Sequence, residues 1–248
     1  MSGLDWLTAH PIAHRGLHDA SAGVIENTAS AFMAAIGGSF AIETDVQISA
    51  DGEAMVHHDF ALGRLTHGSR QLAAMTAAGL KDVPFKATAD RIMTLGELCT
   101  LVAGRTPLVI ELKSRFDGDK RLAARAAEVL KAYPGPAALM SFDPDPIETL
   151  RDIAPRLPRG IVAERHYEDS EWRELTPKQR RMLACLLHGF RTRPHFVAYC
   201  VKNLPSPGAL IARHLFGLPL LAWTVRSDED RARAKRYADQ MIFEGFKP

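Results

Sequence analysis

Cysteine is scarce: Cys99, Cys185 and Cys200 are the only three in 248 residues, far apart and without a CxxC pair. An odd, scattered set excludes a disulfide framework or a thiolate zinc site and points to thiols in a reducing compartment. No apolar run approaches the roughly 20 residues of a membrane span, and the N-terminus lacks a basic stretch followed by an apolar one. A cytoplasmic protein without stable membrane insertion is therefore expected. Charge of neither sign dominates: a net charge of +2 and a pI near 8.5 leave no basic footprint for nucleic acid. What is present is ordinary for a globular chain, with 46% hydrophobic and 24% charged residues. The length fits one α/β barrel or two small domains; no composition shift marks a second domain, so residues 1–248 are expected to form one.

The most informative stretch is Ile42 to Asp59. Glu43 and Asp45 lie in an alternating, β-branched run that reads as a strand. Period two puts both carboxylates on one face, where they can share a divalent cation. Asp51-Gly52 is a hairpin signal, and the five residues Ser49 to Glu53 are too few for a parallel crossover. With Asp51-Gly52 as the central pair of a two-residue turn, Asp45 faces His58, which then shares the carboxylate face while His57 points away. A three-residue loop reverses that choice. Taken alone, the stretch equally fits an exposed polar face on an edge hairpin.

The remainder alternates between strand and helix signals. Leu4, Trp6 and Leu7 in the lead are expected to cap the bottom of a barrel, the alternative being contact with a membrane. Pro11 to Ala13 is a short strand ending at His14-Arg15-Gly16, where Gly16 permits a sharp exit. Asn27 or Thr28 caps the next helix. Phe60 to Arg91 has no sustained period and suggests an inserted subregion, about residues 49–92, over the site. Thr94-Leu95-Gly96-Glu97 is a capping box. Pro107 to Lys113 is a nearly all-apolar strand of the doubly buried parallel kind, ending in Glu111 and Lys113. Strands at 137–142, 160–163, 195–199, 219–225 and 240–244 follow, each separated from the next by a helix; the helix after Thr176-Pro177 is expected to run to about His188. Setting the hairpin's return arm aside, eight units remain, predicting a (β/α)₈ TIM barrel with a hairpin and an insertion after the second strand.

In such a barrel the reactive groups sit at the carboxyl ends of strands. His14, Arg15, Glu43, Asp45, His58, Glu111 and Lys113 all fall there, and Trp223 lies near the end of a later strand. Buried carboxylates need partners, either ion pairs (Glu43 with Lys113, Asp45 with Arg15) or a metal. Three carboxylates without cysteine favour Mg²⁺ or Ca²⁺ over zinc. Arginine beside that site suits a phosphate, and two histidines offer a general base and a general acid.

In order and spacing, the segments His14-Arg15-Gly16, Glu26-Asn27-Thr28, Glu43-Thr44-Asp45-Val46, Asp51-Gly52, Val56-x-His58-Asp59-x-x-Leu62-x-Arg64 and Glu111-Leu112-Lys113 resemble the motifs of the glycerophosphodiester phosphodiesterases. Ser141-Phe142 and Trp223-Thr224-Val225 fit weaker, later ones. The resemblance implies a metal held by Glu43, Asp45 and Glu111. It also implies acid–base roles for His14 and His58, phosphate contacts from Arg15 and Lys113, and a substrate pocket that includes Trp223. It selects His58 over His57 independently of the hairpin register. The implied reaction releases an alcohol such as choline or ethanolamine and sn-glycerol 3-phosphate, by way of water or of a cyclic phosphate formed by the substrate's own hydroxyl. Two departures stand out: Met241 to Phe246 replaces an Ile-Ile-Thr-Asp-x-Pro-like strand, and Arg226 stands where Asn often follows Trp-Thr-Val. Both are expected to affect substrate choice and to leave the metal and acid–base set untouched. The competing functions are a phosphodiesterase acting on lysophospholipids, with Trp6, Phe60 and the insertion around an acyl chain, and a catalytically idle phosphodiester-binding module.

Overall fold

The computed structural model describes residues 3–168, 172–173 and 175–248. Its strands are β1 (Ile12–Ala13), β2 (Ala41–Ile48), β3 (Ala54–Val56), β4 (Leu108–Leu112), β5 (Ala137–Ser141), β6 (Arg159–Ala163), β7 (Phe196–Cys200), β8 (Leu220–Val225) and β9 (Gln240–Phe243). All but β3 form a parallel ring, closed where β1 pairs with both β2 and β9. The helices are α1 (Asp5–Ala9), α2 (Ala29–Gly37), α3 (Ala77–Lys81), α4 (Leu95–Val102), α5 (Arg121–Leu130), α6 (Pro144–Ile153), α7 (Pro177–Ala184), α8 (Gly189–Thr192), α9 (Pro207–His214) and α10 (Asp228–Tyr237). At least one helix joins each ring strand to the next, as the alternation in sequence predicts. Among the described residues, no helix is long and apolar enough to cross a membrane.

Period two divides each ring strand between two cores. In β4, Leu108, Ile110 and Leu112 pack outward against the helix layer, while Val109 joins the barrel interior. Ile12, Ala41, Ala138, Val162, Phe196 and Leu221 fill that interior with it. Gly160 makes room there, because a Cβ at this position would lie 2.3 Å from the Phe196 ring. Leu7 of α1 is sealed into the same cluster, with Trp6 packed beside it, so the lead caps the barrel bottom. Trp6 therefore lies at the end opposite the mouth and cannot share an acyl chain with Phe60. Truncating Leu7 to Ala would cost about 2–5 kcal/mol on the usual scale for a buried leucine.

Two local expectations change. The expected helix after Thr176 ends at Ala184, and Leu186 takes a left-handed conformation (φ 56°). The Leu187 N–H then closes back on the Met182 carbonyl, a Schellman-type stop made without glycine. The hairpin register also differs. Val46 faces Val56 and Ile48 faces Ala54, so Asp45 lies opposite His57 rather than His58. The loop is one residue longer than a two-residue turn requires, with Ser49 paired to Glu53. The segment beyond β3 has its own small core of Ile25, Met55, Leu62, Leu72, Leu80, Phe85 and Ile92.

Candidate active site

At the mouth, the inward positions of β2 and β4 change from apolar to acidic. Asp45 is in register with Glu111, and Glu43 lies two residues before Asp45 on the same face. One oxygen from each of the three carboxylates lies within 4.8 Å of the other two. Burial, reinforced by Asp45 and Glu111, pushes the Glu43 carboxyl well above the usual carboxylate range. Against the cost of its own burial, Asp45 is held far below that range by Lys113 and Arg15. The contacts are Lys113 Nζ to Glu111 at 3.0 Å and to Asp45 at 3.6 Å, and Arg15 Nε to Asp45 at 3.3 Å. Thus the Asp45–Arg15 pair forms, whereas Lys113 pairs with Asp45 and Glu111 and not with Glu43. Glu43 accepts the Arg15 backbone N–H at 2.9 Å. A set of hard oxygens crowded enough to raise one carboxyl pKa fits a divalent cation.

The turn after β1 is built around two left-handed residues, Arg15 (φ 55°) and Gly16 (φ 79°). A Cβ on Gly16 would lie 2.9 Å from the Ala31 backbone, so only glycine fits. Arg15, held in a conformation that costs about 1–3 kcal/mol for a side-chain-bearing residue, donates to Glu26 at 2.7 Å. Glu26 also takes Arg64, and despite its burial the two guanidinium groups lower its pKa to about 2. Thr28 caps α2, which frees Asn27: its Nδ2 donates to Asp45 at 2.9 Å and its Oδ1 accepts from Thr44 at 2.7 Å.

His58 reaches the mouth in spite of the shifted register, because β3 ends at Val56. Beyond it the Gln47 amide donates to the carbonyls of His57, His58 and Asp59 at 3.1, 2.8 and 2.7 Å, pinning an irregular turn. His58 lines the mouth cavity, while His57 is buried outside its lining. The His58 Nδ1 lies 2.9 Å from Asp59, and Arg64 ties Asp59 to Glu26. His14 has a matching arrangement, with Nδ1 2.5 Å from Glu244 and Nε2 3.9 Å from Glu43. A carboxylate can only accept, so Nδ1 carries the proton in both rings and each Nε2 is left for other chemistry. Burial lowers the His14 pKa, with the bond to Glu244 opposing it.

The contact with Glu244 corrects one expectation. The atypical last strand does reach a candidate acid–base residue: Glu244 holds His14 and is itself held by Arg226 Nε at 2.5 Å. Glu244 and Asp59, the carboxylates bonded to the two candidate histidines, are positions to which the sequence alone gives no role. Asp59 had a signal, its adjacency to His58, and Glu244 had only its place at a strand end.

His14, Arg15, Glu43, His58, Glu111, Lys113 and Trp223 all line one cavity of about 250 Å³; Asp45 lies beside them, ion-paired with Arg15 and Lys113. The Trp223 indole N–H is buried and has no hydrogen-bond partner among the described residues. A second cavity, of about 480 Å³, shares Glu111, Lys113, Phe142 and Trp172 with the first and adds Phe60 and Phe116.

The chain matches the glycerophosphoryl diester phosphodiesterase family over residues 14–244. It is 30% identical over 234 residues to a glycerophosphodiester phosphodiesterase of Caldanaerobacter subterraneus subsp. tengcongensis, covering 90% of this chain and 88% of that one. Its fold is that of an Oleispira antarctica phosphodiesterase solved with the product sn-glycerol-3-phosphate (TM-score 0.75, 22% identity, 94% and 91% of the two chains). It is likewise that of a glycerophosphodiester phosphodiesterase from Thermotoga maritima (TM-score 0.70, 24% identity, 94% and 92%). By this match over nearly its whole length, the chain belongs to the glycerophosphoryl diester phosphodiesterase family.

Proposed function

We propose that the protein hydrolyses glycerophosphodiesters to an alcohol and sn-glycerol 3-phosphate, with His14 and His58 moving the protons. The observation that carries this reading is the pair of carboxylate–histidine dyads, His14–Glu244 and His58–Asp59, beside one cavity with three carboxylates at its base. Arg15 and Lys113 are the cations that hold the phosphate. His14, kept neutral by burial, takes at Nε2 the proton of the attacking oxygen, either water directly or the substrate's own hydroxyl, in which case water opens the cyclic phosphate in a second step. His58 gives a proton to the departing alkoxide from Nε2, with its ring oriented by the Nδ1 bond to Asp59. The carbinol end of the substrate meets Trp223, whose N–H lacks a partner. Glu43, Asp45 and Glu111 would hold Mg²⁺ or Ca²⁺, whose charge offsets the negative charge that builds on the phosphoryl oxygens. Residues 49–92 serve as one wall of a single domain, since they bring His58 and Phe60 to the site.

A second reading has support in the adjoining aromatic cavity: Phe60, Phe116, Phe142 and Trp172 offer a surface for the acyl chain of a lysophospholipid. The experiment is a panel of glycerophosphocholine, glycerophosphoethanolamine and lysophosphatidylcholine, each assayed with Mg²⁺, Ca²⁺ and chelator. Release of choline or ethanolamine from the water-soluble substrates, abolished by chelator, supports the first reading. A preference for lysophosphatidylcholine that rises with micelle formation replaces it with the second. Binding of glycerophosphocholine without turnover under any metal overturns both in favour of an idle binding module.

A further inference from the structure

The turn that follows β1 brings two histidines onto one carboxylate. Left-handed Arg15 and Gly16 reverse the chain, and the His18 N–H closes back on the Gly16 carbonyl at 3.0 Å. β9 lies alongside: Ala13 is in register with Phe243, and the His14 N–H donates to the Phe243 carbonyl at 2.9 Å. Glu244, the next residue, therefore meets both rings. Its Oε1 accepts from Arg226 Nε, which leaves Oε2 turned to His14 Nδ1 at 2.5 Å and to His18 Nε2 at 3.7 Å. One nitrogen of each ring and one oxygen of Glu244 lie within 4.8 Å of one another. The His18 Nε2 is buried and has no hydrogen-bond partner among the described residues. A buried ring nitrogen that faces a carboxylate too distant to bond calls for an ion or a water to satisfy it. The three side chains are nonetheless open to small solutes, since those of His18 and Glu244 are each 20% exposed and that of His14 is 12% exposed.

We propose that His14 Nδ1, His18 Nε2 and Glu244 form a second metal site, for Zn²⁺ or a cation of similar softness, and that filling it switches the enzyme off. Two imidazoles and one carboxylate are donors that such cations take, with a fourth position left to water. The neighbouring set of Glu43, Asp45 and Glu111 offers oxygen alone and suits Mg²⁺ or Ca²⁺, so the two sites differ in the ion they select. Coordination draws on the lone pair of His14 Nδ1. The single proton of the neutral ring then sits on Nε2, the atom that must be bare to accept a proton from the attacking oxygen. The inhibitory effect rests on the assignment of His14 as the base, whereas binding rests only on the three donors.

The test is isothermal titration of Zn²⁺ into the protein held in saturating Mg²⁺, together with turnover of a glycerophosphodiester across the same Zn²⁺ range. Wild type is expected to bind one equivalent of Zn²⁺ and to lose turnover as that equivalent fills. His18→Leu and Glu244→Gln should each weaken Zn²⁺ binding by more than about 100-fold, since loss of even an outer-shell partner costs about 10–100-fold in metal affinity. The Zn²⁺ concentration that halves turnover, taken against each protein's own Zn²⁺-free rate, should rise by at least about 10-fold in His18→Leu. Equal inhibition of wild type and His18→Leu would place the Zn²⁺ among the three carboxylates and overturn the proposal. So would unchanged Zn²⁺ affinity in both variants, or no Zn²⁺ equivalent bound by wild type. One Zn²⁺ bound through His18 with full turnover overturns the switch. A protein that hydrolyses no glycerophosphodiester fails the assigned reaction instead, and calorimetry alone then decides the site.

Discussion

Glu244→Gln tests the dyad that the last strand supplies. The wild-type link is a charged acceptor 2.5 Å from His14 Nδ1, with both side chains largely buried. Despite burial, His14 and His18 hold the Glu244 carboxyl well below its ordinary pKa, so at neutral pH it is ionised. The isosteric amide keeps the shape but converts a charge-assisted hydrogen bond, worth about 1.5–3 kcal/mol, into a neutral one worth about 1 kcal/mol. The difference, roughly 0.5–2 kcal/mol, falls on the imidazolium that His14 becomes after taking a proton, and so on the transition state. Turnover should drop about 2- to 30-fold. KM should hardly move, because Glu244 does not line the cavity. Glu244→Ala, which removes the acceptor altogether, should cost more. Steady-state kinetics on a glycerophosphodiester at saturating metal measure this. A kcat within twofold of wild type, or a loss confined to KM, would refute the assignment of Glu244 as the residue that positions His14.

His58→Ala should lower kcat by about 10²–10⁴-fold, as for one acid–base group. His57→Ala should act mainly on stability, since His57 is 3% exposed and outside the cavity; equal kinetic losses at both would sink the assignment. Glu43→Gln should raise the melting temperature in chelator, because it removes a carboxyl whose ionisation is opposed by burial and by Asp45 and Glu111, and should also remove most of the stabilisation by Mg²⁺ or Ca²⁺. A variant melting lower than wild type in chelator contradicts this. His188, 3% exposed and with neither ring nitrogen bonded among the described residues, has its pKa lowered by burial to about 4. The unfolded chain therefore binds this proton first. Stability is unaffected above pH about 6.5 and falls as pH drops toward about 4, by about 3 kcal/mol in total. His188→Leu should flatten that part of the melting profile, and parallel losses in both proteins would rule it out.

The sequence by itself determined the barrel and the carboxylate pairs, because both rest on period-two alternation, which each strand encodes locally. Glu43 and Asp45 share a face whatever surrounds them, and Leu-Val-Ile before Glu111 reads as a doubly buried strand wherever it is placed. Gly16 was legible for the same reason: a sharp exit from a strand is a local need. The tertiary structure decided what depends on which strands meet and where they stop. Glu244 holds His14 across 230 positions of sequence only because β9 closes the ring against β1, a neighbour relation that no local pattern carries. His58 reached the mouth by a route the hairpin argument did not contain. The register places His57 opposite Asp45, and the Gln47 amide then turns the chain once the ladder ends. Alternation fixes which face a side chain takes within a strand, and loses that power at the first residue beyond it.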